Sequence, residues 1–221
     1  MMRLNSVILF FTILLFSCND SSKFDVVIVG GGAGGTSAAI QSARNGAKTL
    51  LIEETEWLGG MLTSAGVSAI DGNYKLPSGF WGEFKDSLVS HYGDLESLKT
   101  GWVSNVLFEP KVGNEILKSI AKNEKNLKIL FSSSVSSVFQ PKDDYYNFIV
   151  NSSKGHFSSK VLIDATELGD ILPMIKEDYD IGMDNIEMYD EDIAPKLKND
   201  IIQDLTYVMV LKNYNKNVKI E

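Results

Sequence analysis

The stretch Phe24–Glu53, FDVVIVGGGAGGTSAAIQSARNGAKTLLIE, constrains this chain more than any other part of it. Val26, Val27, Ile28 and Val29 form an unbroken apolar run, the pattern of a buried strand. The run leads directly into Gly30, Gly32 and Gly35, spaced as G-x-G-x-x-G. A helical pattern follows, with Ala38, Ala39, Ile40 and Ala43 on its packing side and Gly46 just past its end. A second apolar run, Thr49–Ile52, stops at Glu53, 18 residues after Gly35. Each glycine has a physical task. Gly30 permits a tight turn, Gly32 lets the backbone approach a pyrophosphate, and Gly35 lets helix and strand pack closely. The helix start at Ala33, Gly34 and Gly35 offers free amides and the positive end of a dipole to phosphates. Glu53 is placed to accept hydrogen bonds from the ribose of an adenosine. The whole unit therefore reads as a dinucleotide site. A glycine-rich loop that only turned the chain would leave the acid unexplained.

The residues after the acid bear on which dinucleotide is bound. Glu53 and Glu54 are followed by Trp57, Leu58, Gly59, Gly60, Met61, Leu62 and Thr63. Paired glycines let a main chain lie against a pyrophosphate, a ribityl chain or a flat ring with no Cβ in the way. In these residues the chain resembles the FAD-dependent oxidoreductases of the glutathione-reductase-like superfamily. The resemblance implies that Glu54, Gly59, Gly60, Met61 and Thr63 pass along the flavin nucleotide and that the cofactor is FAD. Nicotinamide dehydrogenases with the same fingerprint enter another helix directly.

Two further stretches carry the likeness. Asn126–Val138 (NLKILFSSSVSSV) reads as a strand and a serine-rich turn, and the resemblance puts the backbone of Val135 against the adenine. Lys160–Asp170 (KVLIDATELGD) reads as a strand ending in Asp164, Ala165, Thr166 and Glu167, then Gly169 and Asp170. The resemblance implies that Ala165, Thr166, Gly169 and Asp170 cross beside the bound dinucleotide. It runs from Phe24 to about Leu211 and is strongest in Phe24–Thr63 and Lys160–Asp170. The expected fold is α/β: a Rossmann-like FAD/NAD(P)-binding domain with a mainly parallel sheet and an antiparallel hairpin layer, followed by the start of a substrate domain.

The chain opens MMRLNSVILFFTILLFSCND. Its apolar core, Val7–Phe16, fits a secretory h-region of about 7–15 residues and falls short of the ~20 that span a bilayer. The ending Leu15-Phe16-Ser17-Cys18 resembles the lipobox of bacterial lipoproteins, which implies lipidation of Cys18 and a tether over residues 19–23. The alternative is an ordinary cleaved signal with an incidental cysteine. Cys18 is the only cysteine, which excludes an intrachain disulfide and a redox-active cysteine pair. Without Arg3 the remainder carries 20 basic and 29 acidic residues, a net charge of −9. That disfavours nucleic acid and anionic membrane surfaces as partners. Membrane contact is expected through the lipid alone.

The organisation follows. Residues 24–170 are expected to form the FAD-binding domain, with a helical insertion at about 64–109, and residues 171–221 the start of a truncated substrate domain. A helix is expected from Ser78 to Tyr92, with Phe80, Phe84, Leu88 and Val89 as its stripe, and another from Pro110 to about Asn123. A strand at Leu127–Phe131 precedes a hairpin of Tyr145–Val150, a turn at Asn151–Gly155 and His156–Ile163. Asp178, Asp180 and Asp184 invite a calcium reading, but the glycine and closing glutamate of an EF-hand loop are missing, and a solvated acidic loop fits better. Asp204–Leu211 (DLTYVMVL) reads as a strand.

The resemblance also implies a return segment with a glycine–aspartate motif, whereas only Gly182 follows Gly169 here. The chain is therefore expected to be an N-terminal portion that binds FAD weakly or not at all by itself. The expected chemistry is transfer of a hydride or electrons from a small substrate to the flavin. Arg44 is the only arginine after residue 18, which disfavours dicarboxylate substrates held by bidentate arginine pairs and suits an uncharged one. No catalytic acid or base is assigned. His91 is a candidate and His156 is expected to be exposed at the hairpin. The alternative is a non-catalytic or relic nucleotide-binding lipoprotein.

Overall fold

A computed structural model describes residues 22–70, 72, 74–101, 104–141, 147–204, 208 and 216. The signal segment, Cys18 and the tether up to residue 21 lie outside the described residues. So does the strand expected over Asp204–Leu211, apart from Asp204 and Val208.

Strand β1 (Lys23–Val29) is followed by helix α1 (Ala33–Arg44) and strand β2 (Thr49–Ile52). A 3-10 turn at Gly60–Leu62 leads to α2 (Gly79–Tyr92) and α3 (Pro110–Lys122). Then come β3 (Leu127–Leu130), β4 (Val135–Phe139), β5 (Phe148–Ser152) and β6 (Gly155–Asp164), and the short helices α4 (Ile171–Ile175) and α5 (Ile186–Tyr189). The strands form one six-stranded sheet in the order β3-β2-β1-β6-β5-β4. Pairs among β3, β2, β1 and β6 are parallel, while β5 is antiparallel to both β6 and β4.

The central strands read as unbroken apolar runs because both faces of the sheet are covered. On one face Ile28 and Leu51 pack with Ile40 of α1, Phe84 and Leu88 of α2, and Leu117 and Ile120 of α3. On the other, Val27, Val29, Leu50 and Ile52 cluster with Val138, Val150, Phe157 and Ile171. The antiparallel unit is thus bonded into the sheet through the ten-residue β6 and also buries its second face. Fully burying side chains of this size contributes about 1.5–3 kcal/mol each.

The helix bounds agree with the apolar periodicity, although Ser78 makes no side-chain cap hydrogen bond to α2. Pro110 occupies the first turn of α3, where no amide partner is lost. Two strand expectations need correction. Val135–Phe139 is a strand, where a serine-rich turn was expected, because Val138 enters the core while Ser136 and Ser137 stay exposed. The hairpin turn is also tighter than its pattern suggests: β5 runs on through Asn151 and Ser152, which pair with His156 and Gly155, leaving Ser153 and Lys154 between the strands. Tyr145 and Tyr146 lie outside the described residues.

Arg44 joins three elements. Its guanidinium donates to both carboxylate oxygens of Glu83, at 2.7 and 2.8 Å, and to Glu124 at 2.7 Å. In the acidic segment, Lys198 donates to Asp180 and lies 3.7 Å from Asp184. Among the described residues no group of three or more His, Cys, Asp or Glu is placed to hold a metal ion. No described helix is long and apolar enough to cross a membrane.

Candidate functional site

Three parallel strands end at one level. Val29 pairs in register with Ile52 on one side and with Asp164 on the other. The chain leaving each strand therefore meets the other two in the crevice beyond their carboxyl ends, where open α/β sheets bind ligands. That crevice is a cleft of about 770 Å³, lined by Gly30–Gly32, Glu53–Thr55, Gly60, Ser64, Val135 and parts of Ala165–Met174. Its size falls within the ~300–1,000 Å³ of small-molecule and cofactor sites.

The first glycine loop is built without room to spare. Gly30 has φ +98°, and a Cβ there would lie 2.3 Å from the Ala165 carbonyl oxygen. A Cβ on Gly35 would lie 1.9 Å from the Gly30 carbonyl oxygen, so helix and turn touch through backbone. Gly32 differs: nothing lies within 4 Å of its absent Cβ, which would project into open space. Gly32 is also the N-cap of α1, with no side-chain cap and no acid in the first turn. The first amides of the helix are left to an anion.

Gly31 ties the parts together. Its amide donates to Glu53 Oε2 at 2.5 Å. Its carbonyl accepts from the buried Thr36 hydroxyl at 2.8 Å and from the Gly59 amide at 2.8 Å. The other oxygen of Glu53 accepts from the Thr55 amide at 2.8 Å and the Thr55 hydroxyl at 2.6 Å. Beside this loop, Gly59 forms a parallel bridge with Gly32. Gly59 and Gly60 have φ of +107° and +52°, and a Cβ on Gly60 would sit 2.8 Å from Gly32 Cα. Gly60 is thus required by its fit against the fingerprint loop, and Gly59 by its positive φ and the Leu117 and Thr63 side chains packed on it.

The third wall is fixed by Asp164. One of its oxygens accepts from the Thr166 amide at 3.0 Å and the Thr166 hydroxyl at 2.7 Å, and the other from the Ile171 amide at 3.1 Å. The Thr166 hydroxyl in turn accepts from the Asp170 amide at 2.8 Å.

Of the residues singled out from the sequence, Gly30, Gly32, Glu53, Glu54, Gly60, Val135, Ala165, Thr166 and Asp170 line the cleft. Ala33 and Gly34 are exposed at the helix start beside it, and Gly35 is buried beneath the turn. Gly59 and Gly169 support the walls without lining them. Met61 and Thr63 do not line the cleft. Met61 is 61% exposed, and Thr63 is buried with its hydroxyl donating to the Leu58 carbonyl at 2.5 Å. His91 is exposed at the end of α2, its ring edge-on to Tyr92 with centroids 4.8 Å apart, and does not line the cleft. His156 is exposed near the hairpin turn. Gly31, Thr55, Ser64, Glu167 and Met174 line the cleft without having been singled out as site residues. The run Gly30-Gly31-Gly32 and the place of Thr55 two residues after the acid were the available signals.

The cleft has one charge sign. Glu53, Glu54, Glu167 and Asp170 line it, and no Lys, Arg or His does so among the described residues. Backbone amides and the α1 dipole are therefore what faces a phosphate here. The arrangement fits the ADP half of a dinucleotide: an uncapped helix start, an open Cβ position at Gly32 and a carboxylate held at the cleft wall.

The sequence profile of the family described as FAD dependent oxidoreductase matches residues 25–220. The chain belongs to that family. FAD is accordingly its cofactor. A digeranylgeranylglycerophospholipid reductase of Methanococcus vannielii is 28% identical over 152 residues, which are 66% of this chain and 38% of that protein. A probable sarcosine oxidase of Arabidopsis thaliana is 48% identical over 40 residues, 18% of this chain and 10% of that one. The crystal structure of L-proline dehydrogenase from P. horikoshii is similar with a TM-score of 0.41 at 22% identity, covering 65% of this chain and 22% of the other. The chain thus spans well under half the length of the curated relatives it matches.

Proposed function

We propose that this chain supplies the ADP-binding part of a flavin site through which a hydride or electrons pass from a small, uncharged substrate to FAD. The observation that carries this reading is the joined cleft: the uncapped start of α1, the Gly31–Glu53 hydrogen bond and the Gly32–Gly59 bridge form one rigid cradle. FAD, when bound, supplies the electron-accepting ring. The chain's own residues hold and orient it. The α1 amides take the diphosphate, Glu53 takes the ribose, and the loop fixed by Asp164 closes the third side.

The scarcity of arginine supports an uncharged substrate. Arg44, the only arginine after residue 18, is spent on Glu83 and Glu124. A dicarboxylate substrate would find no bidentate partner in these residues.

The reading is tested by titrating the full chain with ADP and with FAD, then following the visible flavin absorbance of the loaded protein without oxygen. Neutral hydroxyl-rich compounds are expected to bleach it and dicarboxylates are not. Bleaching by dicarboxylates alone would overturn the substrate class. A chain that binds no ADP would overturn the nucleotide-site reading itself.

The same proposal places the protein on the outer side of a bacterial membrane, anchored by lipid at Cys18. The ten-residue apolar core before Cys18 supports this. Cys18→Ser is expected to move the protein from the membrane fraction to the soluble one.

A further inference from the structure

We propose that Thr55 is a positioning residue of the adenosine-ribose subsite, which fixes the Glu53 carboxylate before any nucleotide arrives. The proposal rests on the reading of Glu53 as the ribose acceptor and adds how that acceptor is held. An ionised carboxylate offers about four lone-pair sites. Three are filled within the chain: one by the Gly31 amide on Oε2, and two by the Thr55 amide and hydroxyl on Oε1. One site, on Oε2, is left for a ligand hydroxyl.

The direction of the Thr55 hydroxyl follows from its neighbours. Its oxygen accepts from the Trp57 amide at 3.0 Å. It has one hydrogen to give, and two acceptors lie in reach: Glu53 Oε1 at 2.6 Å and the Trp57 carbonyl at 3.2 Å. The charged and nearer acceptor takes it, since hydrogen bonds to ionised groups are the shorter and stronger kind. The Thr55 backbone is held as well. The Ser132 amide donates to the Thr55 carbonyl at 3.0 Å, and the Ser133 amide to the Glu53 carbonyl at 3.0 Å. The connection between β3 and β4 therefore clamps the segment from behind.

Such clamping has a thermodynamic consequence. A half-exposed glutamate loses rotamer freedom when a ligand immobilises it, and this cost is subtracted from the binding free energy. A carboxylate already fixed by three donors incurs little of it.

The test measures ADP binding by titration calorimetry to the full chain and to Thr55→Val, Thr55→Ser and Glu53→Ala, with the thermal midpoint of each. Thr55→Val keeps the amide and loses only the hydroxyl, so ADP affinity is expected to fall about fivefold, the scale of one hydrogen bond. Thr55→Ser is expected to restore it to within about twofold of the parent. The Thr55→Val loss should vanish in the Glu53→Ala background and with 2′,3′-dideoxy-ADP as the probe. A loss that persists in either case would overturn the positioning role and mean that Thr55 touches the nucleotide itself or supports the fold. An unchanged affinity in Thr55→Val would overturn it too, while leaving the nucleotide site intact. A parent chain that binds no ADP would remove the subsite and the proposal together.

Discussion

The Gly31 amide and the Glu53 carboxylate, 22 residues apart in sequence, meet at 2.5 Å at the carboxyl end of the sheet. Gly31 is a variable position of the fingerprint, yet a Cβ there would lie 2.7 Å from Glu53 Oε2. Its φ is not positive, so the constraint on this residue is the acid rather than the backbone. Gly31→Ala is expected to displace the end of the Glu53 side chain, which is flexible, and to leave the fold intact. ADP affinity should then drop about tenfold or more, from the ~1.5 kcal/mol lower end of the worth of a hydrogen bond to a charged group. Calorimetric titration beside a thermal melt checks both halves of the claim.

Gly30 and Gly32 should respond to alanine in opposite ways. At Gly32 the backbone is at φ −61° and an added Cβ meets nothing, so Gly32→Ala should melt within a degree or two of the parent. The methyl would stand in the space a diphosphate must enter, and ADP binding should fall below detection. Gly30→Ala combines φ +98° with a 2.3 Å approach to the Ala165 carbonyl oxygen. It should cost stability, about 2 kcal/mol or more, whether or not nucleotide is present. Denaturant unfolding of the two variants separates the roles, and equal destabilisation would refute the division.

What could be read from the sequence follows from what covers each element. Val26–Val29 and Thr49–Ile52 were legible because a sheet packed on both faces needs unbroken apolar strands, and Glu53 because its place is set by the end of β2. Strand β4 was hidden: a register irregularity between Val135 and Ser137 breaks the alternation, and two exposed serines imitate a turn. Within the site, Gly60 lines the cleft, Met61 of the same 3-10 turn goes to solvent, and Thr63, which caps that turn, points inward. The place of Thr55 two residues after the acid was visible, but its contribution rests on where one hydroxyl points, which that spacing does not give.

Arg44 makes acid sensitivity local. Its guanidinium holds the Glu83 carboxyl below its ordinary 4.5, and the two glutamates raise the affinity of Arg44 for its proton. For a depressed carboxyl, the stabilisation is complete above the unfolded value and is lost as pH falls through the lower folded one. The Glu83 side chain is 38% exposed and that of Arg44 31%, so screening limits the gain to about 1 kcal/mol. Arg44→Met should lose that amount near neutral pH and leave Glu83 and Glu124 facing each other without a cation. The gap between parent and variant should narrow as pH falls through the depressed folded value of Glu83. Urea unfolding near neutral pH and in acid measures it, and a gap unchanged by acid would point to lost packing of the Arg44 stem.

The all-acidic lining predicts an inverted salt response. Glu53, Glu54, Glu167 and Asp170 surround a space in which a diphosphate must sit, and their repulsion acts over several ångströms through a solvated cleft. The favourable contacts, amides and the end of the α1 dipole, act at hydrogen-bond range within the first turn of the helix. Salt screens the longer-range interaction more, because the Debye length shrinks from about 30 Å at 0.01 M to about 10 Å at 0.1 M. ADP affinity should therefore rise about two- to threefold over that range, where a site lined by Lys or Arg would weaken. Glu54→Gln and Glu167→Gln should each tighten binding at low salt and flatten the slope, since each removes one repelling charge and no donor to the nucleotide. Titrations at the two ionic strengths check this. An affinity that falls with salt in the parent chain would mean that attraction at the helix start outweighs the four carboxylates.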